Sequence, residues 1–288
     1  RDDLVTGVQT CALPICDEDL RADRQPEFTQ LDVEMSFVTA DDVMGVIEGL
    51  VKRTAREILG LDVALPLARL SWDEAMERFG HDAPDLRYGL EIVDLGAAAA
   101  ACDFRVFQAA LAGGGRVRGI RVPGGAARFS RKELDELTAI AVEGGAKGLV
   151  WLKLEAGGEW SGPVAKNLGA AGPAIRDALG AAPGDLALVV ADSFAVTCKA
   201  LHMLRKRLGV QLGLYDPGAM HFSWVVDFPM FARDEEGGGW ASMHHPFTAP
   251  RAADRESLAD DPARCRAQAY DLVINGSEAG GEIGRAHV

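Results

Sequence analysis

Residues 30–37 alternate without a slip. Leu31, Val33, Met35 and Phe37 fall on one face of an extended chain, and Gln30, Asp32, Glu34 and Ser36 on the other. The pattern predicts a strand with one apolar face and one face that is acidic and amide-bearing. The period then changes. Over residues 41–59, Val43, Ile47, Leu50, Val51, Ala55, Ile58 and Leu59 recur at helical spacing, with Thr39 and Asp42 placed to cap the start. Residues 62–66 read as a break. Residues 70–79 read as a short helix opened by Ser71, with Glu74 at the capping-box offset.

Residues 96–115 are rich in Ala and Gly with little periodicity, and are expected to be a linker or boundary. Beyond it, Ser130 and Glu133 form a capping box ahead of a helix with Leu134, Leu137 and Ala141 on one side. Strands are predicted over residues 149–154 and 186–191, with a turn at Gly157 and Gly158 between them. Residues 194–208 read as a helix whose last turn carries Arg205, Lys206 and Arg207, as the helix dipole favours. Further strands are expected at 222–228, 240–243 and 270–275, with a hairpin turn at 234–239 and helical composition at 262–269. The plan is one antiparallel α+β domain interrupted by a smaller α+β block.

A chain of 288 residues, 48% hydrophobic, is long enough for one large domain or two smaller ones, each with a real core. Acidic residues outnumber basic ones by 43 to 30, and the formal charge of -13 argues against bulk nucleic-acid binding but not against an RNA substrate held by a local basic cluster. No apolar run is long enough to span a bilayer, and no charged-then-apolar leader opens the chain. Cys11, Cys16, Cys102, Cys198 and Cys265 are scattered and odd in number, which suits a reducing cytosol.

The two ends read differently from the rest. Residues 5–15 and 282–288 back-translate into DNA strings that are largely reverse complements, and resemble a sequencing adapter in its two orientations. Residues 1–15 and 282–288 are therefore expected to be non-native and are set aside from fold reasoning. Cys16, at the junction, is expected to be an arginine whose codon had its first base overwritten.

Three clusters have the makings of a site. In DEDLRADRQPEF, residues 17–28, Arg21 and Arg24 stand where a phosphate-bearing partner can be clamped, and Pro26 stiffens the exit into the strand. A charged loop of this kind is more often simply solvated. In MHHPFTAP, His244 and His245 are adjacent and so point apart on a strand, which argues against a shared metal. The residues alone leave open whether one is a buried, hydrogen-bonded histidine or a donor to a bound carboxylate. In NGSEAGG, Glu278 is followed by glycines, which is an ordinary turn and also a way to let a nucleotide and Mg2+ approach a carboxylate.

Taken together, these stretches resemble bacterial-type aspartyl-tRNA synthetase, a class II aminoacyl-tRNA synthetase, over nearly all of residues 17–281. DEDLRADRQPEFTQLDVEMSF resembles the family's motif 2 loop and strand, and PDLRYGLEIVDL the end of its first catalytic segment. SRKELDELTAIAVEGGAKGLVWLKLE and LVVADSFAVTCKALHMLRKRLG resemble the inserted domain that bacterial members share with an amidotransferase subunit. FSWVVDFPMF, MHHPFTAP and AYDLVINGSE resemble the return to the catalytic domain.

The resemblance implies an incomplete antiparallel-sheet catalytic domain in two parts, residues 16–96 and 209–281, interrupted by an inserted α+β domain at residues 97–208. It implies ATP and Mg2+ as cofactors, with tRNA and L-aspartate as partners in a cytoplasmic, non-membrane, homodimeric parent enzyme. By position, Glu18, Gln25 and Glu278 serve ATP, Glu278 also its Mg2+. Gln30 and Asp32 line the aspartate pocket, the apolar side of their strand packing on the domain's helices, and His244 meets the substrate carboxylate. Arg21 and Arg24 are candidates for the tRNA acceptor end. The motif 2 arginine falls at Cys16, so no catalytic residue is intact. Arg285 falls where the family places an aspartate-binding arginine, but lies in the non-native end and is not counted. Motif 1, motif 3 and the anticodon-binding barrel have no counterpart, and the polypeptide as written is expected to lack aminoacylation activity. The competing reading is a non-catalytic tRNA-binding or amidotransferase-associated module. Such a module needs neither the motif 2-like strand nor MHHPFTAP.

Overall fold

The computed structural model describes residues 8–9, 31–233 and 238–284. It falls into two units, residues 1–66 and 67–288.

In the first unit, strand β1 (Val8–Gln9) pairs antiparallel with β2 (Asp32–Val33). The expected strand over residues 30–37 is therefore reduced to two residues. Phe37 sits at φ 60 and is fully exposed, and Leu31 and Met35 are exposed as well, so the apolar face is not packed on helices. The reason is that alternation specifies two faces of a strand but not a neighbour to bury one of them. Helix α1 (Ala40–Thr54) starts as read. Asp42 N–H donates to Thr39 Oγ1 at 3.4 Å, and Thr39 N–H donates to the Asp42 carboxylate at 2.8 Å. A π-helical turn (Ala55–Leu59) continues it to Gly60, whose φ of 67 ends the helix.

In the second unit the chain runs through β3 (Ala68–Ser71), α2 (Trp72–Phe79), β4 (Ile92–Asp94), α3 (Gly96–Ala99), α4 (Arg105–Ala112), β5 (Arg116–Val122) and α5 (Arg131–Glu143). It continues with β6 (Val150–Leu154), β7 (Trp160–Ser161), α6 (Ala165–Leu168), α7 (Ala171–Leu179), β8 (Leu186–Asp192) and α8 (Phe194–Gln211). The remaining strands are β9 (Phe222–Val226), β10 (Phe231–Arg233), β11 (Trp240–Ser242), β12 (Ala269–Ile274) and β13 (Ser277–Ile283).

Two sheets organise this unit. The first has the order β13-β12-β9-β3, antiparallel except for its edge, where β3 lies parallel to β9. Ala75 of α2 is buried with Val225, Phe228, Met230, Cys265 and Val273 on one of its faces. The second sheet has the order β4-β5-β8-β6-β7 and is antiparallel throughout. It has helices on both faces. Leu134 and Leu137 of α5 and Leu201 and Leu204 of α8 pack with Ile120 and Leu188 on one side. Ala99, Phe107 and Ile175 pack with Val117, Leu152 and Val189 on the other. That double coverage is why β8 reads as an unbroken apolar run rather than an alternation.

Three expectations are corrected. Residues 96–115 are not a linker, because they form α3 and α4 and lead directly into β5, with Ala99 and Phe107 in the core. Alanine is the best helix former yet carries little apolar contrast, so its helices lack a readable stripe. Arg205 is not in the last turn of its helix, since α8 runs on to Gln211, and its side chain is fully buried. Residues 262–269 are not a helix: a short 3-10 turn (Pro262–Arg264) ends at Cys265, which is extended and fully buried, and Ala269 already belongs to β12. The second sheet also begins at β4, ahead of residue 97.

The two sheets meet at the C-terminal end of α2. Arg118 of β5 is fully buried and donates to the Met76 and Glu77 carbonyls, to the Glu77 carboxylate at 3.0 Å and to Cys198 Sγ at 3.0 Å. Gly80 caps α2 at φ 72, and a Cβ there would lie 2.4 Å from the Cys198 carbonyl oxygen. The helix end thus takes guanidinium donors in addition to its backbone cap, in which Gly80 N–H donates to the Met76 carbonyl at 3.1 Å.

Candidate active site

The site is built on the hairpin β12–β13. Asn275 and Gly276 join its strands with φ of 51 and 81, as a two-residue turn of this hand requires. Leu272 pairs with Gly280 while Val273 pairs with Glu278, so Ala279 is an extra residue that bulges β13 directly after Glu278. Opposite Asp271 stands Gly281, and its missing side chain is the key to the geometry. A Cβ at Gly281 would lie 3.1 Å from Asp271 Oδ1 and 3.1 Å from Glu278 Oε1. Two carboxylates from adjacent strands therefore converge over one glycine. Asp271 was not singled out from the sequence. Its signal is an acid in a strand whose neighbours Tyr270, Leu272 and Val273 are all buried.

Paired carboxylate oxygens are hard donors that suit Mg2+, which binds through one or two carboxylates plus phosphate oxygens and water. Asp271 and Glu278 fit that requirement as a pair. Among the described residues no group of three or more His, Cys, Asp or Glu side chains forms a protein-only metal cage.

His244 follows β11 on the segment that runs beside the open end of the same hairpin. Ala249 N–H donates to the Gly284 carbonyl at 2.7 Å and Gln268 N–H to the Ala249 carbonyl at 2.8 Å. The His244 ring is half-buried, edge-on to Phe228 at 5.8 Å, with Nε2 3.0 Å from the Pro229 carbonyl oxygen. A carbonyl can only accept, so Nε2 carries the proton and Nδ1 is the free position of the neutral ring. Burial pulls its pKa below the ordinary histidine value, although the bond to Pro229 acts the other way. His245 is exposed, and its Nδ1 accepts from Phe247 N–H at 3.2 Å. The two rings thus have separate surroundings, as adjacent positions demand.

Of the other residues read from the sequence, Asp32 is half-buried in the first unit, within the two-residue pairing to β1. Cys16, Glu18, Arg21, Arg24, Gln25 and Gln30 lie outside the described residues, as does Arg285. No helix among the described residues is long and apolar enough to cross a membrane.

Residues 15–288 match the family described as tRNA synthetases class II (D, K and N). The chain is 56% identical over 94% of its length to an aspartate–tRNA(Asp/Asn) ligase of Rhodopirellula baltica, covering 46% of that protein. It is 48% identical over 92% of its length to an aspartate–tRNA(Asp/Asn) ligase of Anoxybacillus flavithermus, covering 45% of it. It is 46% identical over 94% of its length to an aspartate–tRNA ligase of Lactiplantibacillus plantarum, covering 46% of it. The chain therefore spans just under half the length of the curated relatives it matches. With a match over all but its first 14 residues, and identities far above those of chance, this chain belongs to the class II tRNA synthetases of the D, K and N group.

Proposed function

We propose that the chain is part of an aspartate–tRNA ligase, which uses ATP to join L-aspartate to tRNA. The α-carboxylate of aspartate attacks the α-phosphorus of ATP. The bond from that phosphorus to its bridging oxygen breaks, and pyrophosphate leaves with the electron pair. A terminal ribose hydroxyl of tRNA then attacks the aspartyl carbonyl, loses its proton and displaces AMP. Both steps need positioning and charge stabilisation rather than a protein nucleophile.

In this reading Asp271 and Glu278 hold Mg2+, which when bound offsets the negative charge of the phosphates. Glu18 and Gln25 contact ATP, and Glu278 serves it from the hairpin. Gln30 and Asp32 line the amino-acid pocket, with Asp32 reading the ammonium group. His244 meets the substrate carboxylate. Since Nε2 is engaged by Pro229, that contact uses Nδ1, and the ring must take up a proton from solvent as aspartate binds. Arg21 and Arg24 face the acceptor end of tRNA. Residues 16–96 and 209–281 are the two parts of the catalytic domain, residues 97–208 the insert, and both terminal segments non-native. Homodimeric assembly and a cytoplasmic location belong to the same reading.

The observation that carries it is the convergence of Asp271 and Glu278 over Gly281, in a chain whose relatives bear the name. The test is ATP–pyrophosphate exchange. A chain extended to the relatives' full length, with arginine at position 16, is expected to exchange with aspartate and not with lysine or asparagine. The chain as written is expected to give none. Exchange supported by lysine or asparagine in preference to aspartate would overturn the assignment.

A further inference from the structure

The turn of the hairpin that carries Glu278 is held from outside itself. His221 N–H donates to Asn275 Oδ1 at 2.8 Å, and Asn275 Nδ2 donates to the Ala219 carbonyl at 3.2 Å. Arg87 Nη1 donates to that same carbonyl at 3.3 Å, so Arg87 and Asn275 share one acceptor. Gly276 rests directly on Asp85, where an added Cβ would come within 2.8 Å of Asp85 Cβ.

Asp85 and Arg87 behave as one piece. The guanidinium meets the carboxylate through Nη2 at 2.7 Å and Nε at 3.0 Å, and Arg87 N–H adds a bond to Oδ1 at 3.0 Å. The Arg87 guanidinium also lies 4.2 Å over the Tyr215 ring. The backbone of this segment is gripped in turn from α8, which packs on the second sheet. Arg205 donates to the carbonyls of Leu90 at 2.8 Å, Phe79 and Gly89 at 3.3 Å, and Asp85 at 3.5 Å. Its planar fork reaches four carbonyls at once, a match that the single ammonium of lysine cannot reproduce.

We propose that Arg205 is a positioning residue for the Asp271–Glu278 pair, and that the five-stranded block is thereby the buttress of the candidate cation and nucleotide site. The connection runs from α8 to residues 85–90, from there to the Asn275–Gly276 turn, and from the turn to Glu278 two residues on. It is made of buried and part-buried hydrogen bonds and one close contact of Gly276 with Asp85, so displacement at one end is passed to the other rather than absorbed. The proposal rests on the reading of Asp271 and Glu278 as cation ligands, and goes beyond it by giving the block a part in that site.

The test uses the whole chain and Mn2+ alone as the probe, with free Mn2+ followed by electron paramagnetic resonance. Glu278→Gln is expected to abolish measurable binding. If it leaves the affinity unchanged, the carboxylate reading falls and the proposal with it. Arg205→Lys is expected to weaken Mn2+ binding roughly tenfold, the scale on which supporting residues tune metal affinity. Gly276→Ala, which lifts the turn off Asp85 and touches nothing on α8, is expected to do the same while amides of β5 and β8 keep their protection from hydrogen exchange. A merely structural Arg205 would lower the unfolding midpoint and leave the Mn2+ affinity of the folded chain as it was. Wild-type affinity in Gly276→Ala, or in a folded Arg205→Lys, overturns the proposal while the carboxylate reading stands. If Arg205→Lys does not fold, Gly276→Ala decides alone.

Discussion

His202 makes the second unit acid-labile by an amount that can be worked out. Its ring stacks on His81 at 4.4 Å, its Nδ1 is buried without a hydrogen-bond partner, and burial pushes its pKa down to about 3. The unfolded chain binds this proton near pH 6.5, as an ordinary histidine does. Above that pH both states are neutral and His202 costs nothing. As pH falls below it, the unfolded state takes up the proton and the folded state does not, so stability is lost progressively towards pH 3. At pH 5 the loss is about 2 kcal/mol, set almost wholly by the distance from the unfolded value. The variant is His202→Gln, which keeps a polar side chain and cannot charge. All five tryptophans lie in residues 67–288, so urea unfolding followed by their fluorescence reports on this unit. His221, His244 and the ion-paired carboxylates titrate in both proteins and cancel in the comparison. The gap between wild type and variant should shift by about 2 kcal/mol from pH 8 to pH 5, in favour of the variant. Parallel stability curves would refute the buried, neutral ring.

Two further substitutions probe the packing. Phe107→Ala empties a site that is 1% exposed, in the segment whose composition suggests a linker, and is expected to cost about 3–5 kcal/mol by the same urea assay; a loss within 0.5 kcal/mol would put α4 outside the core. Gly80→Ala places a Cβ 2.4 Å from the Cys198 carbonyl at a φ of 72, and is expected to lower stability by more than about 1 kcal/mol, whereas Gly148→Ala, with open space around it and no left-handed φ, is expected to be near neutral; equal effects would refute the close approach of α2 and α8.

What the amino-acid sequence determined by itself is what is settled within a few residues. The caps at Thr39 and Ser130 and the helices behind them depend on contacts between near neighbours, and the apolar runs at 150–154, 186–192 and 269–274 mark strands locally; these appear as read, whereas the turn expected at the glycines after Glu278 falls instead at Asn275 and Gly276. The family was also legible, because long motifs in order carry more information than any single spacing, and Glu278 and His244 were named from them. Only the tertiary structure decided which polar residues meet. Asp271 joins Glu278 because a bulge and a glycine bring two strands into one register, and no local pattern marks that outcome. Arg205 reads from the sequence as a basic residue in a helix's last turn, yet its partner Leu90 is 115 residues away. The alanine-rich stretch became helix and core once a sheet lay beneath it, and the alternating strand at residues 30–37 stayed short where its apolar face had none. The physical reason is the same in each case. Periodicity states what a segment can bury, and only the arrival of a distant partner determines whether it does.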